Sequence, residues 1–167
     1  MKTTNCLTLL ISTLAALSCA SGERASAPVA VASSGDLTVY HAYAPASPAP
    51  DVASLYFTVV NDGEAADTLL TITSPAGEAT LHNVVTQDGI ARMTPVEALP
   101  IPPHGLARLA PGGYHVMFSN LVRPLNLGDT IAVELALASG TMLRFPVPVL
   151  SYTEVVKRLD QGEPSRR

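Results

Sequence analysis

The chain has 167 residues, 47% of them hydrophobic, 14% charged and none tryptophan, a length that suits one domain with a sizeable core and terminal sequence to spare. The formal net charge is −4, and between Asp36 and Leu150 four arginines and no lysine stand against ten acidic residues, a net of −6. A domain so acidic has no basic footprint for phosphate backbones or anionic lipid, which argues against nucleic acid as a partner.

In chain order, residues 1–20 read as an export signal: Lys2 gives a minimal positive start, and "CLTLLISTLAAL" is too short to span a membrane comfortably. Its end, "AALSCASG", has two readings. Ala16-Leu17-Ser18-Cys19 is a lipobox with its leucine one place later than usual, making Cys19 the acylated first residue and a lipid on it the one route to membrane attachment. Alternatively, Ser18-Cys19-Ala20 supplies small residues for ordinary cleavage after Ala20. Both lead to the periplasm, lipid-anchored in the first case. Both also leave the folded domain without a cysteine, because Cys6 is removed with the signal.

Residues 21–35, "SGERASAPVAVASSG", are rich in Ala and Ser and read as a flexible tether. The domain is expected over residues 36–150. Short β-like runs recur there: "LTVYHAYA", "SLYFTVVN", "TLLTITS", "EATLHNVVT", "IARMTPVE", "GLARLA", "YHVMFSNL", "TIAVELALAS" and "MLRFPVPVL". In a chain with 14 prolines and 11 glycines, these runs predict an all-β fold, an antiparallel β-sandwich or barrel. "TIAVELALAS" would also suit a helix, but its Gly-Asp entry and Ser-Gly exit favour a strand that hairpins into the next run. Residues 151–167 are a polar C-terminal tail, read as a frayed end or short helix.

Four histidines (His41, His82, His104, His115) and four methionines (Met1, Met93, Met117, Met142) are available as donors. Asp88-Gly89 is a strong two-residue hairpin turn, so Gln87 should pair with Ile90 and Met93 should lie opposite Val84. Met93 then shares a face with His82, one diagonal step away. His115 and Met117, two apart in "YHVMF", share a face of their own strand. If the two faces meet, they form a site of two imidazoles and two thioethers. Such neutral, soft donors suit Cu(I) and serve Mg²⁺, Ca²⁺ or Mn²⁺ poorly, while Zn²⁺ prefers thiolate or carboxylate. Methionine also binds copper in an oxidising compartment without the competing disulfide chemistry of cysteine. Taken singly, Met93 and Met117 would pass as core fillers and His82 and His115 as ordinary strand polars.

The spacing His82, ten residues, Met93, twenty-one residues, His115, one residue, Met117 resembles the signature of the periplasmic copper chaperones of the PCu(A)C family, and "ARMTPVE", "LAPGGYHVMF" and "GDTIAVELAL" resemble its surrounding text. The resemblance covers about residues 36–150. It implies a cupredoxin-like β-sandwich of Greek-key type that binds one Cu(I) through His82, Met93, His115 and Met117. It further implies delivery to the CuA centre on the copper subunit of cytochrome c oxidase, together with a thioredoxin-fold copper assembly protein. One departure is visible, since many members carry methionine directly after the first histidine and this chain has Asn83. The tail lacks His and Met, so no second copper site of the kind some members carry there is expected.

The resulting expectation is a carrier and not an enzyme. A blue-copper electron carrier needs a cysteine thiolate, which the domain lacks. The alternatives are a periplasmic copper buffering or tolerance protein and, from another class, a secreted β-sandwich serving interaction or assembly without metal. His41 reads as structural, His104 as an exposed turn residue and Met142 as core or edge packing.

Overall fold

The computed structural model describes residues 28–161. These residues form eleven strands: β1 (Ala30–Ser34), β2 (Leu37–Pro45), β3 (Ala53–Asn61), β4 (Asp67–Thr73), β5 (Glu78–Gln87), β6 (Ile90–Pro95), β7 (Leu99–Ile101), β8 (Gly105–Leu109), β9 (His115–Ser119), β10 (Thr130–Leu137) and β11 (Met142–Leu150), followed by helix α1 (Tyr152–Gln161), and alternation of buried and exposed residues is clearest in β10 and β11. They form one hydrogen-bonded path, β6-β5-β9-β3-β2-β11-β10-β4-β7, with β1 beside β2 and β8 beside β3. Neighbours distant in sequence, such as β5 with β9, mark Greek-key connectivity in place of a simple meander.

The two halves of this path bury one shared core. Leu55, Phe57, Val116 and Phe118 come from the first half, and Leu135, Leu143, Phe145 and Val147 from the second. Phe57 meets Phe145 edge-on, with ring centroids 6.1 Å apart. In β9, Val116 and Phe118 are the inward pair, which leaves His115 and Met117 on the outer face.

The expected all-β sandwich is present, with local departures. The sheet is not purely antiparallel: β2 and β11 run parallel at Val149–Ala44 and Leu150–Pro45. These two strands are far apart in the chain, so their direction follows from how the chain returns and not from a hairpin turn. Part of the expected tether is structured, since β1 pairs antiparallel with β2 through backbone groups; residues 21–27, like the signal at 1–20, lie outside the described residues. Of the two readings of the C-terminal tail, the short helix is the one seen: Tyr152–Gln161 is a packed helix. Ser151 caps it by accepting from the Glu154 N–H, and Val155 and Leu159 are buried against Tyr43 and Tyr56. Met142, read as core or edge packing, is exposed at the start of β11 and so lies outside the core. "TIAVELALAS" is β10, in a hairpin with β11 as expected. Among the described residues no helix is long and apolar enough to cross a membrane.

Candidate metal centre

The hairpin of β5 and β6 turns at Asp88 and Gly89, both with positive φ (52° and 76°), as its two-residue loop requires. Gln87 pairs with Ile90 and Val84 with Met93, the expected register. Strand β9 then lies along the other edge of β5, with His82 directly opposite His115 and Thr80 directly opposite Met117. Residues opposite one another, and every second residue along a strand, share a face. The two His/Met couples therefore meet on one outer face: the histidines as a cross-strand pair, Met117 and Met93 each one diagonal step from His82.

The imidazoles of His82 and His115 stack, with centroids 6.0 Å apart and planes inclined by 22°. His115 is buried, and its Nδ1 lies 2.9 Å from the Gly113 carbonyl oxygen. A carbonyl can only accept, so Nδ1 carries the proton and Nε2 keeps its lone pair for a ligand. Gly113 is held for this purpose by the turn before β9: Gly112 takes φ 79°, the Gly113 N–H donates to the Ala110 carbonyl, and the Gly113 carbonyl also accepts from the Val84 N–H. On the other histidine, Thr80 Oγ1 is 3.4 Å from Nδ1 of His82 and 3.3 Å from the Met117 carbonyl oxygen. His82 and Met117 are half-buried, whereas Met93 is 63% exposed.

Those burials separate a site from a core. Met93 has too little burial to be a core filler, and it sits on a strand whose residues are all exposed. Asn83, where the resemblance has methionine, is half-buried, alternates to the opposite face from His82 and pairs with Thr94. Beyond Met117 the same face continues through its β3 partner Ser54 to Tyr56, which is buried under α1. Burial pushes the Tyr56 phenol up, against a hydrogen bond with Ser54 that lowers it, so this neighbour stays neutral.

The donor set itself is uncharged and soft. No cluster of three or more His, Cys, Asp or Glu side chains that could hold a metal exists among the described residues. The donors this face does gather are two imidazoles and two thioethers, a set that suits a soft ion such as Cu(I) better than harder cations. A groove of about 750 Å³ lies elsewhere, between Thr73–Pro75 and the outer side of β10 and β11, and contains none of these donors.

The remaining histidines are not brought to this face. His104 sits in a turn at φ 45°, its Nε2 3.1 Å from an exposed Glu64 carboxylate. His41 occupies a bulge in β2 at φ 54°, buried between the rings of Tyr40 and Tyr43, with Nε2 lacking a hydrogen-bond partner among the described residues. Sequence reading missed the two groups that touch the site histidines, the Gly113 carbonyl and the Thr80 hydroxyl. The Pro-Gly-Gly turn was a signal for the first; nothing local signalled the second.

Comparison with known proteins shows the family and the fold. The family described as "Putative lipoprotein LpqE-like" matches residues 37–149. "Putative lipoprotein Lxx21020" of Leifsonia xyli subsp. xyli is 35% identical over 81 residues, which are 48% of this chain and 49% of that protein, so the match spans about half the length of the relative. Among solved structures, the copper-bound PCuAC domain from PmoF2 superposes with a TM-score of 0.60 at 21% identity, covering 74% of this chain and 97% of that one, and shows the same fold. The copper(I) form of DR1885 from Deinococcus radiodurans gives a TM-score of 0.53 at 27% identity, covering 66% and 77%. The fold is thus the cupredoxin-like β-sandwich of PCuAC domains, two of these neighbours being copper-bound proteins.

Proposed function

The chain belongs to the LpqE-like family, and from that premise we propose that it is a copper(I) carrier that holds one Cu(I) through His82, Met93, His115 and Met117. The observation that carries this reading is the β5–β9 register, which stacks His82 on His115 and sets Met117 on the face that the β5–β6 register gives to Met93. Copper is cargo here, and the protein is a carrier and not an enzyme. Neutral donors suit release, since no thiolate has to be reprotonated when the ion leaves. The four donors are graded in depth, from buried His115 through half-buried His82 and Met117 to exposed Met93. An acceptor approaching from solvent meets Met93 first, so handover begins by exchange of that thioether.

The acceptor we propose is the CuA centre of cytochrome c oxidase, with a thioredoxin-fold protein assisting; this rests on the resemblance of the His/Met spacing to the PCu(A)C signature. We place the protein in the periplasm, anchored through a lipid on Cys19. The "ALSC" sequence and the lipoprotein description of the family and of the Leifsonia relative support that placement. X-ray absorption of the protein loaded with one equivalent of Cu(I) tests the site. Mixed nitrogen and sulfur scattering is expected, and a shell of nitrogen and oxygen alone overturns the ligand set.

A further inference from the structure

We propose that Thr80 is a positioning residue, whose hydroxyl locks His82 into the tautomer with the proton on Nδ1 and so presents Nε2 as the copper donor. Thr80 lies two residues before His82 on the same face of β5, directly opposite Met117 of β9. Its Oγ1 stands between two groups, the Met117 carbonyl oxygen at 3.3 Å and His82 Nδ1 at 3.4 Å. A hydroxyl has one proton and two lone pairs. The carbonyl can only accept, so the bond to it uses the Thr80 proton. What Oγ1 then offers to Nδ1 is a lone pair, and Nδ1 must be the donor. The chain His82 Nδ1–H to Thr80 Oγ1–H to Met117 carbonyl leaves the His82 lone pair on Nε2.

His115 reaches the same state by a shorter route, through the Gly113 carbonyl at 2.9 Å. The stacked imidazoles are thus held in one tautomer by two different acceptors, one rigid and one relayed. The relay also ties the site together, because the Thr80 proton is fixed by the backbone of Met117, itself one of the four donor residues. Outer contacts of this kind fix ring orientation and raise the basicity of a ligand, and their loss typically costs about 10–100-fold in metal affinity. Both distances are long, as expected of a site whose contacts tighten when its ligand arrives.

This role rests on the copper reading only for its effect on affinity; the tautomer is a property of the metal-free protein. Thr80→Val removes the hydroxyl at nearly constant shape, at an exposed strand position where a β-branched residue is well tolerated. Thr80→Ser keeps the hydroxyl and serves as the conservative rescue. Nitrogen-15 NMR of the imidazoles in metal-free protein should show His82 protonated on Nδ1 in wild type and Thr80→Ser, and a mixture of tautomers in Thr80→Val, with His115 unchanged in all three. Competition against a chromogenic Cu(I) chelator should show about a tenfold weaker affinity in Thr80→Val and near wild-type affinity in Thr80→Ser. Wild-type His82 protonated on Nε2, or a Thr80→Val protein with unaltered tautomer or unaltered affinity, would overturn the role. A wild type that binds no Cu(I) would overturn the copper reading, while the tautomer measurement would still decide what Thr80 does to His82.

Discussion

Met93→Leu separates a metal donor from a packing residue, because this side chain has almost nothing to pack against. At 63% exposure on an all-exposed edge strand, its replacement by a residue of similar volume removes little buried area. Surface substitutions away from special features stay within about 0.5 kcal/mol, and a Met-to-Leu exchange is mild even in a core. The metal-free variant should therefore unfold at the wild-type denaturant midpoint within that margin. Cu(I) affinity should behave differently. Loss of an outer-shell contact already costs about 10–100-fold, and loss of a direct donor should reach the upper end, about 100-fold or roughly 2.7 kcal/mol. Cu(II), which imidazole can still hold, should lose less. Chelator competition for Cu(I) and direct titration of Cu(II), on wild type and variant, measure both. A folded variant with unchanged Cu(I) affinity would show that Met93 is no ligand and refute the reasoning. A large loss of stability in the metal-free state would show that its exposure had been misjudged.

Two further outcomes follow from other parts of the chain. Burial alone would push the Asp67 carboxyl up, but the Ser139 hydroxyl and the backbone N–H groups of Thr68, Ser139 and Ala138 hold it below the ordinary value of 3.8. A depressed value means that Asp67 stabilises the fold fully above the unfolded pKa and that this contribution disappears as pH falls through the folded one. Thermal unfolding from pH 6 to pH 2.5 should show Asp67→Asn losing the part of the acid-induced drop that lies below about pH 4, and Asp67→Ala destabilised by about 2 kcal/mol at neutral pH through the orphaned N–H groups. At the other end, intact-mass analysis of the mature protein should find a chain beginning at an acylated Cys19; an unmodified chain beginning at Ser21 would remove the lipid anchor.

Much of this architecture could be read from local chemistry. The β5–β6 register followed from Asp88-Gly89 alone, because a two-residue turn with positive φ fixes which residues face each other. The two faces of β9 followed from alternation. What stayed hidden has physical reasons. Strand β1 buries no side chain fully, so its Ala and Ser residues carry no alternating signal, and backbone pairing with β2 is what makes it a strand. Strand β7 is three residues long with a proline at its centre, too short for a period to show. Helix α1 had a readable start, Ser151 followed three residues later by Glu154, but its reason for folding is a distant surface, Tyr43 and Tyr56.

The same distinction governs the site. Spacing within β9, and across one hairpin, could pair each histidine with a methionine, because both relations are local. It could not join the couples, since that required β9 to return to the free edge of β5 in a register that sets residue 82 opposite residue 115. A slip of one residue would have turned every donor of β9 inward, in place of Val116 and Phe118. Those two core residues therefore hold the register of the site: the inward pair cannot leave the core, so the outward pair cannot leave the face shared with His82. The depth of each donor follows from the same placement. His115 lies on an internal strand between β5 and β3, and Met93 lies on the outermost strand of the path. In the proposed carrier, a single sheet edge would thus supply both a sheltered imidazole to retain the ion and an open thioether at which exchange can start.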